Sequence, residues 1–184
     1  QHVHNIDVAN WFIGRTPVLA NGFGGRTHRT TGNQFDFFSI DFDYGDGCHV
    51  HSMCRQNSGC YSRVGEVFAG TKGTYDGRIR SKADLTIETP SFQRGNGFVL
   101  EHFDLLTSIV KGKPVNEAEQ IAHATMGAIM GRISAYTGQL VRWTDVMDNP
   151  ASKFYNRTLA PAPEDFETGN VSAPEDDVYP VPPA

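Results

Sequence analysis

The sequence predicts an α+β protein, an open and mostly antiparallel sheet with helices packed on one face. Three observations predict it. Short runs of strand character follow one another between glycine-rich joints through the first half of the chain, with no helical pattern between them, as antiparallel pairing allows. Two long stretches of helical periodicity come after those runs, which is not the alternation that a parallel βαβ sheet requires. The strongest strand has one apolar and one polar face, so the sheet has a side that needs covering and a side that does not.

The elements follow in order. Residues 2–14, HVHNIDVANWFIG, place Val3, Ile6, Ala9, Trp11 and Ile13 at mostly helical spacing, and Gly14 supplies the left-handed stop. No capped polar first turn precedes His2, so the reading is of a helix already in progress and of a chain that is a piece of a longer one. PVLANGFGG is an extended segment. In FDFFSIDFDY, Phe38, Ile40, Phe42 and Tyr44 share one face of a strand, while Phe37, Ser39, Asp41 and Asp43 share the other. CHVHSMCR alternates in the same way. A three-residue loop, Gly45-Asp46-Gly47 with Gly47 left-handed, pairs Tyr44 with Cys48 and makes the two apolar faces coincide; loops of two or four residues would set His49 and His51 beside Phe42. VGEVFAGTKG, TYDGRIR and ADLTIE supply three more strand candidates.

The helices come next. FVLEHFDLLTSIVKG has an apolar stripe of Val99, His102, Phe103, Leu106, Ile109 and Val110, with Asn96 as cap and Gly112 as stop; His102 in that stripe is expected to be a buried structural histidine. Asn116 and Glu119 form a capping box for a second helix that runs to Gly138, in which Ala118, Ala122, Ala128, Gly131 and Ala135 allow close approach of another element. A short QLVRWTDV element follows. From Asn149 onward the chain carries seven of its ten prolines, so the division is a domain over 1–148 and an extended acidic tail over 149–184.

Composition narrows function. The chain has 184 residues, 39% of them hydrophobic, and twelve Phe, enough for one packed core. No stretch has the roughly 18 apolar residues that a spanning helix needs. Of the net charge of −5, residues 150–184 contribute two cations against six acids, so the body is near neutral and lacks the basic footprint of a nucleic-acid binder. Neither a nucleic-acid nor a membrane partner is expected. Cys48, Cys54 and Cys60 have no zinc-knuckle or CxxC spacing and read as free thiols. Cytoplasm and bacterial periplasm are both compatible with these features.

Among chemistry-bearing constellations, His2-x-His4 and His49-x-His51 lack the further ligand that a metal site needs, and no metal is expected. His49 and His51 are expected to pair across the strands with Asp43 and Asp41. His4 and Asp7, at i and i+3 on one helix face, put a carboxylate beside an imidazole, an arrangement suited to acid–base chemistry. Arg55 and Gln56, at the strand end away from the hairpin loop, are candidates for binding hydroxyls. No GxGxxG or GxxxxGK[ST] motif occurs, so the chain does not hold a dinucleotide by itself.

The ordered series HNIDVANWFIG, GFGGR, DFDYGDG, SMCRQNSGC, VFAGTKGTYDG, EHFDLL and NEAEQIAHATMGAIMGRISAYTG, over residues 2 to 148, resembles the C-terminal domain of the glucose-fructose oxidoreductase, inositol dehydrogenase and MocA family. The resemblance implies an NAD- or NADP-dependent oxidoreductase acting on a sugar or cyclitol hydroxyl. Its dinucleotide would be bound by an N-terminal Rossmann domain that this chain does not contain, together with the family's Glu-Lys-Pro lysine. It implies that His4, in its HxxD setting, is the catalytic histidine, with Asp7 orienting it. The acidic residue that many members carry one turn earlier would fall before Gln1. It also implies a homodimer or homotetramer joined through the open face of the sheet, and the mixed composition of that face, with Phe37 and Met53 among His–Asp pairs, agrees with an interface. Two other functions fit the same residues: a relative that cleaves glycosides through transient oxidation by NAD, and a non-catalytic carbohydrate-binding or assembly module.

Overall fold

The computed structural model describes residues 2–29, 34–81 and 96–155. In chain order the elements are α1 (Val3–Ile13), β1 (Leu19–Gly25), β2 (Phe37–Asp43), β3 (His49–Arg55), β4 (Phe68–Ala69), β5 (Gly73–Tyr75), β6 (Ile79–Ser81), α2 (Gly97–Val110), α3 (Ala118–Thr137), β7 (Val141–Arg142) and α4 (Trp143–Met147). The fold is α+β, as expected, and the chain forms two compact units, Gln1–Arg63 with His123–Ala184, and Val64–Ala122.

The first unit is built on an antiparallel sheet ordered β3-β2-β1-β7. The hairpin between β2 and β3 has the expected register, Asp43 opposite His49 through Phe37 opposite Arg55. Tyr44 N–H donates to Cys48 O at 2.8 Å, and Cys48 N–H donates to Gly45 O at 3.0 Å. The central pair of that inner turn, Asp46 and Gly47, both have positive φ, 54° and 73°, the requirement of the Asp-Gly turn whose twist matches its strands.

One face of this sheet is covered. Ala20, Ile40, Phe42, Tyr44 and Val141 are buried there against Ile6 of α1, Met130 of α3 and Val146 of α4, and each large side chain so buried stabilises by about 1.5–3 kcal/mol. α3 comes close because it presents glycines. A Cβ on Gly131 would lie 2.9 Å from Phe42 Cζ, and one on Gly127 would lie 3.2 Å from Ile6 Cγ2. Ser134 Oγ, fully buried, accepts from Gly22 N–H at 3.0 Å. The close approach therefore falls on Gly127 and Gly131, while Ala118 and Ala122 are exposed. The cap is as expected in part: Asn116 Oδ1 accepts from Ala118 N–H at 3.1 Å.

The segment expected to begin an extended tail instead turns back at 149–155. Asn149 Oδ1 accepts from Ala151 N–H at 3.1 Å, Ser152 Oγ accepts from Phe154 N–H at 3.1 Å, and Phe154 joins the core at 7% exposure. An aromatic pair, Phe154 and Tyr155, in a segment without periodicity gives no signal of burial, so the sequence does not announce it. Residues 156–184 lie outside the described residues.

In the second unit, β4, β5 and β6 form a separate three-stranded antiparallel sheet; the strand expected at ADLTIE lies outside the described residues. α2 is capped as expected, Asn96 Oδ1 accepting from Phe98 N–H at 3.0 Å. None of its residues is buried among the described ones, and His102, expected in a buried stripe, is exposed. Helical periodicity locates an apolar face and says nothing of what meets it.

Candidate functional site

α1 lies along the covered face, and three side chains fix its position. Ile6 enters the core. Tyr44 Oη donates to Asn10 Oδ1 at 2.8 Å with both residues buried, and the Tyr44 hydroxyl, surrounded by apolar packing and near Cys48, is pushed well above the usual phenol range. His2 Nε2 bonds Ser52 Oγ of β3. The N-terminal end of α1 is thus tied to the middle of β3, and its later turns to the hairpin end. Gly14, at φ 79°, closes the helix through its N–H to Asn10 O at 2.7 Å.

With His2, Ile6, Asn10 and Ile13 turned to the sheet, the helical period turns His4 away from it. His4 is exposed and Asp7 half-buried. Trp11, at 70% exposure, continues the stripe at i+7 from His4, its ring edge-on to Phe12 with centroids 5.4 Å apart. An imidazole, a carboxylate and an indole therefore line one side of a helix whose other side is locked. The sequence reading had the first two; Trp11 was legible at the same spacing but read only as part of the apolar pattern.

Arg55 and Gln56 occupy a different place. Arg55 lies in the alternation of Asp41, His51 and Met53, on the open face, and its Nη2 donates to Tyr61 O at 2.8 Å. Gln56 follows the strand, its N–H bonded to Asp36 O at 2.8 Å. His4 and Asp7 lie one turn apart on the outer side of α1, on the covered side of the sheet, whereas Arg55 lies on the open face, and the structure does not bring the two together.

On the open face the histidines do pair with strand β2, one step off the backbone register. His49 Nδ1 lies 3.0 Å from Asp41 Oδ2 and its Nε2 lies 4.0 Å from Asp43 Oδ1; His51 Nε2 lies 3.2 Å from Ser39 Oγ. His49 keeps the expected Asp43 as its longer contact and adds the closer diagonal Asp41, while the expected pairing of His51 with Asp41 is corrected to Ser39, because long side chains reach the diagonal neighbour in a twisted sheet. The bond from Asp41, with its charge, holds the His49 imidazole above its ordinary value. Among the described residues no group of three His, Cys, Asp or Glu side chains could hold a metal ion, and no helix is long and apolar enough to cross a membrane. Cys48, Cys54 and Cys60 are free, and burial raises the Cys54 thiol.

Where β1 leaves the sheet and β2 joins it, Asp36, at 3% exposure, accepts backbone N–H bonds from Thr27 at 2.9 Å, His28 at 2.7 Å and Arg29 at 3.0 Å, and one from Thr27 Oγ1 at 3.3 Å. Burial alone would raise this carboxyl; the bonds outweigh it and lower it to about 2. Sequence reasoning missed this clasp, since a single acid ahead of a strand has no pattern.

The glycines that might suggest a phosphate loop do not form one. Gly22 and Gly24 lie inside β1, where a Cβ would meet Ser39 O at 2.7 Å and Phe37 O at 2.6 Å respectively, so they serve strand packing.

No protein-family model matches the chain, and no curated protein matches it. Among solved structures the chain is similar to an aldose-aldose oxidoreductase from Caulobacter crescentus complexed with glycerol, with a TM-score of 0.57 and 18% identity over 77% of this chain and 45% of that one. The chain spans less than half of that protein's length. At this identity the likeness is one of fold: the chain shares the α+β arrangement of part of that protein.

Proposed function

We propose that the chain is the substrate-binding and catalytic half of an NAD(P)-dependent oxidoreductase that acts on a sugar or cyclitol hydroxyl. The observation that carries this reading is the stripe of His4, Asp7 and Trp11 on the outer side of α1, with His4 and Trp11 exposed and Asp7 half-buried between them, while the inner side is locked to the sheet. The fold shared with an aldose-aldose oxidoreductase supports it, and so does the resemblance of the HNIDVANWFIG segment to the family's catalytic helix.

In this reading the nicotinamide, held by a part of the protein outside this chain, accepts the hydride when bound. The work of the chain is the proton. His4 takes the hydroxyl proton as the carbinol carbon is oxidised, a task matched to imidazole near neutral pH. Asp7, one turn on, orients the ring and favours its protonated form. Trp11 offers the flat apolar surface on which the C–H face of a sugar stacks. Arg55 and Gln56, across the sheet layer from His4, bind hydroxyls of a substrate that extends past the strand ends. We further propose that the open face joins copies of the protein into a homodimer or homotetramer: Phe23 and Met53 are 65% and 70% exposed there, beside the His49–Asp41 pair.

The test is nicotinamide reduction by the full-length protein with a panel of aldoses and cyclitols. Turnover of at least one of them is expected, and no reduction with any would remove the reading.

A further inference from the structure

The β2–β3 hairpin ties α1 at two points whose spacings match. His2 bonds Ser52 Oγ of β3, and Asn10 Oδ1 accepts from Tyr44 Oη at 2.8 Å. Ser52 stands opposite Ile40 in the register, so the tie points are separated by the stretch from Ile40 to Tyr44, about 13 Å at the rise of a strand. From His2 to Asn10 the helix rises about 12 Å. Both ties are therefore met by one straight helix. They also set its rotation: at 3.6 residues per turn His2, Ile6 and Asn10 fall within an arc of about 80°, and His4 stands about 160° round from Ile6.

The two ties hold different things. The later turns are also held by packing, since Ile6 and Ala9 are 4% and 3% exposed and Ile13 packs against the core. Asn10 is buried with them, and among the described residues its Nδ2 has no hydrogen-bond partner. The Tyr44 bond thus satisfies an amide oxygen that burial would otherwise orphan, which is a matter of stability. The first turn has less behind it. Its side chains at 2–5 are half-buried or exposed, and it carries no acidic residue to favour its N-terminus. His2 O accepts from Asn5 N–H at 3.2 Å and from Ile6 N–H at 3.4 Å, longer than the 2.7 Å from Gly14 N–H to Asn10 O at the far end. Ser52, 9% exposed, faces this turn from the covered side of the sheet. Beside Ile40 a hydroxymethyl group adds little apolar packing, and what it does add is the bond to His2.

His4 lies in the turn that this bond holds, two residues from His2 and six from Asn10. We propose that Ser52 is a positioning residue for His4: through His2 it fixes the first turn of α1, and with it the place of the imidazole that takes the substrate proton. The proposal rests on the oxidoreductase reading for what His4 does, and on the geometry for what Ser52 holds. Placement matters because a general base works over a single hydrogen bond, and a displacement of about 1 Å costs up to about 100-fold in rate.

The experiment measures kcat, KM and unfolding midpoint in the full-length protein, with its best sugar substrate, for Ser52→Ala, His2→Ala, the double variant and His2→Gln, beside His4→Ala and Tyr44→Phe. Ser52→Ala and His2→Ala are each expected to lower kcat about 10-fold, with the KM for the cofactor little changed. The double variant should fall no lower than either alone, because both changes remove the same bond. His2→Gln, whose side-chain amide can reach the hydroxyl in place of Nε2, should restore most of kcat. The fall of kcat at low pH should persist in Ser52→Ala, where the base is displaced, and vanish in His4→Ala, where it is gone. Tyr44→Phe should show the reverse balance. It should lower the midpoint more than Ser52→Ala does, with kcat within about 2-fold of wild type, since buried Asn10 cannot turn to water and half-buried His2 can.

Wild-type kcat in Ser52→Ala and His2→Ala, with His4→Ala inactive, overturns the proposal and leaves the oxidoreductase reading standing. A loss in Ser52→Ala that only follows a fallen midpoint overturns it too, because the serine then serves the fold. If no sugar is turned over, or His4→Ala keeps wild-type turnover, the reading of His4 fails and takes the catalytic consequence with it. Amide hydrogen exchange then decides what Ser52 holds: in Ser52→Ala the Asn5 and Ile6 amides should exchange about 10-fold faster, with the Gly14 amide at its wild-type rate. Unchanged exchange at Asn5 and Ile6 ends the proposal.

Discussion

The two faces of the β1–β3 sheet are made by alternate residues of the same strands, yet they are specified by different physics. On the covered face Ile40, Phe42 and Tyr44 are at most 4% exposed, and the space is set by size, with glycine at 127 and 131 where α3 closes on Ile6 and Phe42. On the open face Asp41, Asp43, His49 and His51 are arranged by charge and hydrogen bonds around exposed Met53. Size mismatches on the covered face should cost folding energy. Charge mismatches on the open face should cost assembly and leave the fold alone.

Phe42→Ala is the most severe break of the covered face and should destabilise by about 3–5 kcal/mol, measured by denaturant unfolding. Gly131→Ala should cost about 1–3 kcal/mol, because the added methyl forces Phe42 to move. Either variant at wild-type stability would mean that α3 does not close on this face. Asp36 sits at the margin of the sheet. Its carboxyl is lowered in the fold, so its contribution is complete above its ordinary value of 3.8 and fades as pH falls toward about 2. Asp36→Asn should remove that part of the acid limb in a pH series of unfolding midpoints.

On the open face, Asp41→Lys sets two cations together and should shift the proposed homodimer or homotetramer toward monomer at tens of micromolar, read by light scattering, with an unchanged unfolding midpoint. A wild-type monomer, or a variant that assembles equally well, would mean that the face serves something else. The smallest effect is local: Asp41→Asn should bring the His49 imidazole back down toward its ordinary titration range, followed by NMR, because the bond and charge from Asp41 are what raise it. Linkage gives the sign: a raised imidazole stabilises below its unfolded value, and this contribution is lost as pH rises through the folded one.

The covered face was the legible part. Period-2 alternation and the glycines of Gly45-Asp46-Gly47 fix the β2–β3 register because a one-residue slip would expose Phe42, and Gly14 and Asn96 mark helix ends by local chemistry. Non-local partners were not legible. β7 is two residues long and pairs with Leu19 and Ala20 across more than a hundred residues, too short for any periodicity. Phe154 in the core, the His2–Ser52 bond and the amide cradle around Asp36 depend on chain crossings that spacing cannot show. In the candidate site, His4 and Asp7 were legible as a helix pair. That the pair faces outward follows only once Ile6, Asn10 and His2 are seen to face the sheet.

The central claim is that His4, on the outer side of α1, takes the substrate proton. The most direct test is kcat for His4→Ala in the full-length protein on its best sugar substrate. Removal of a general base should lower it by about 10² to 10⁴, with cofactor affinity and unfolding midpoint nearly intact because the side chain is exposed and outside the core. Turnover near that of the wild type would contradict the claim and take His4 out of the mechanism.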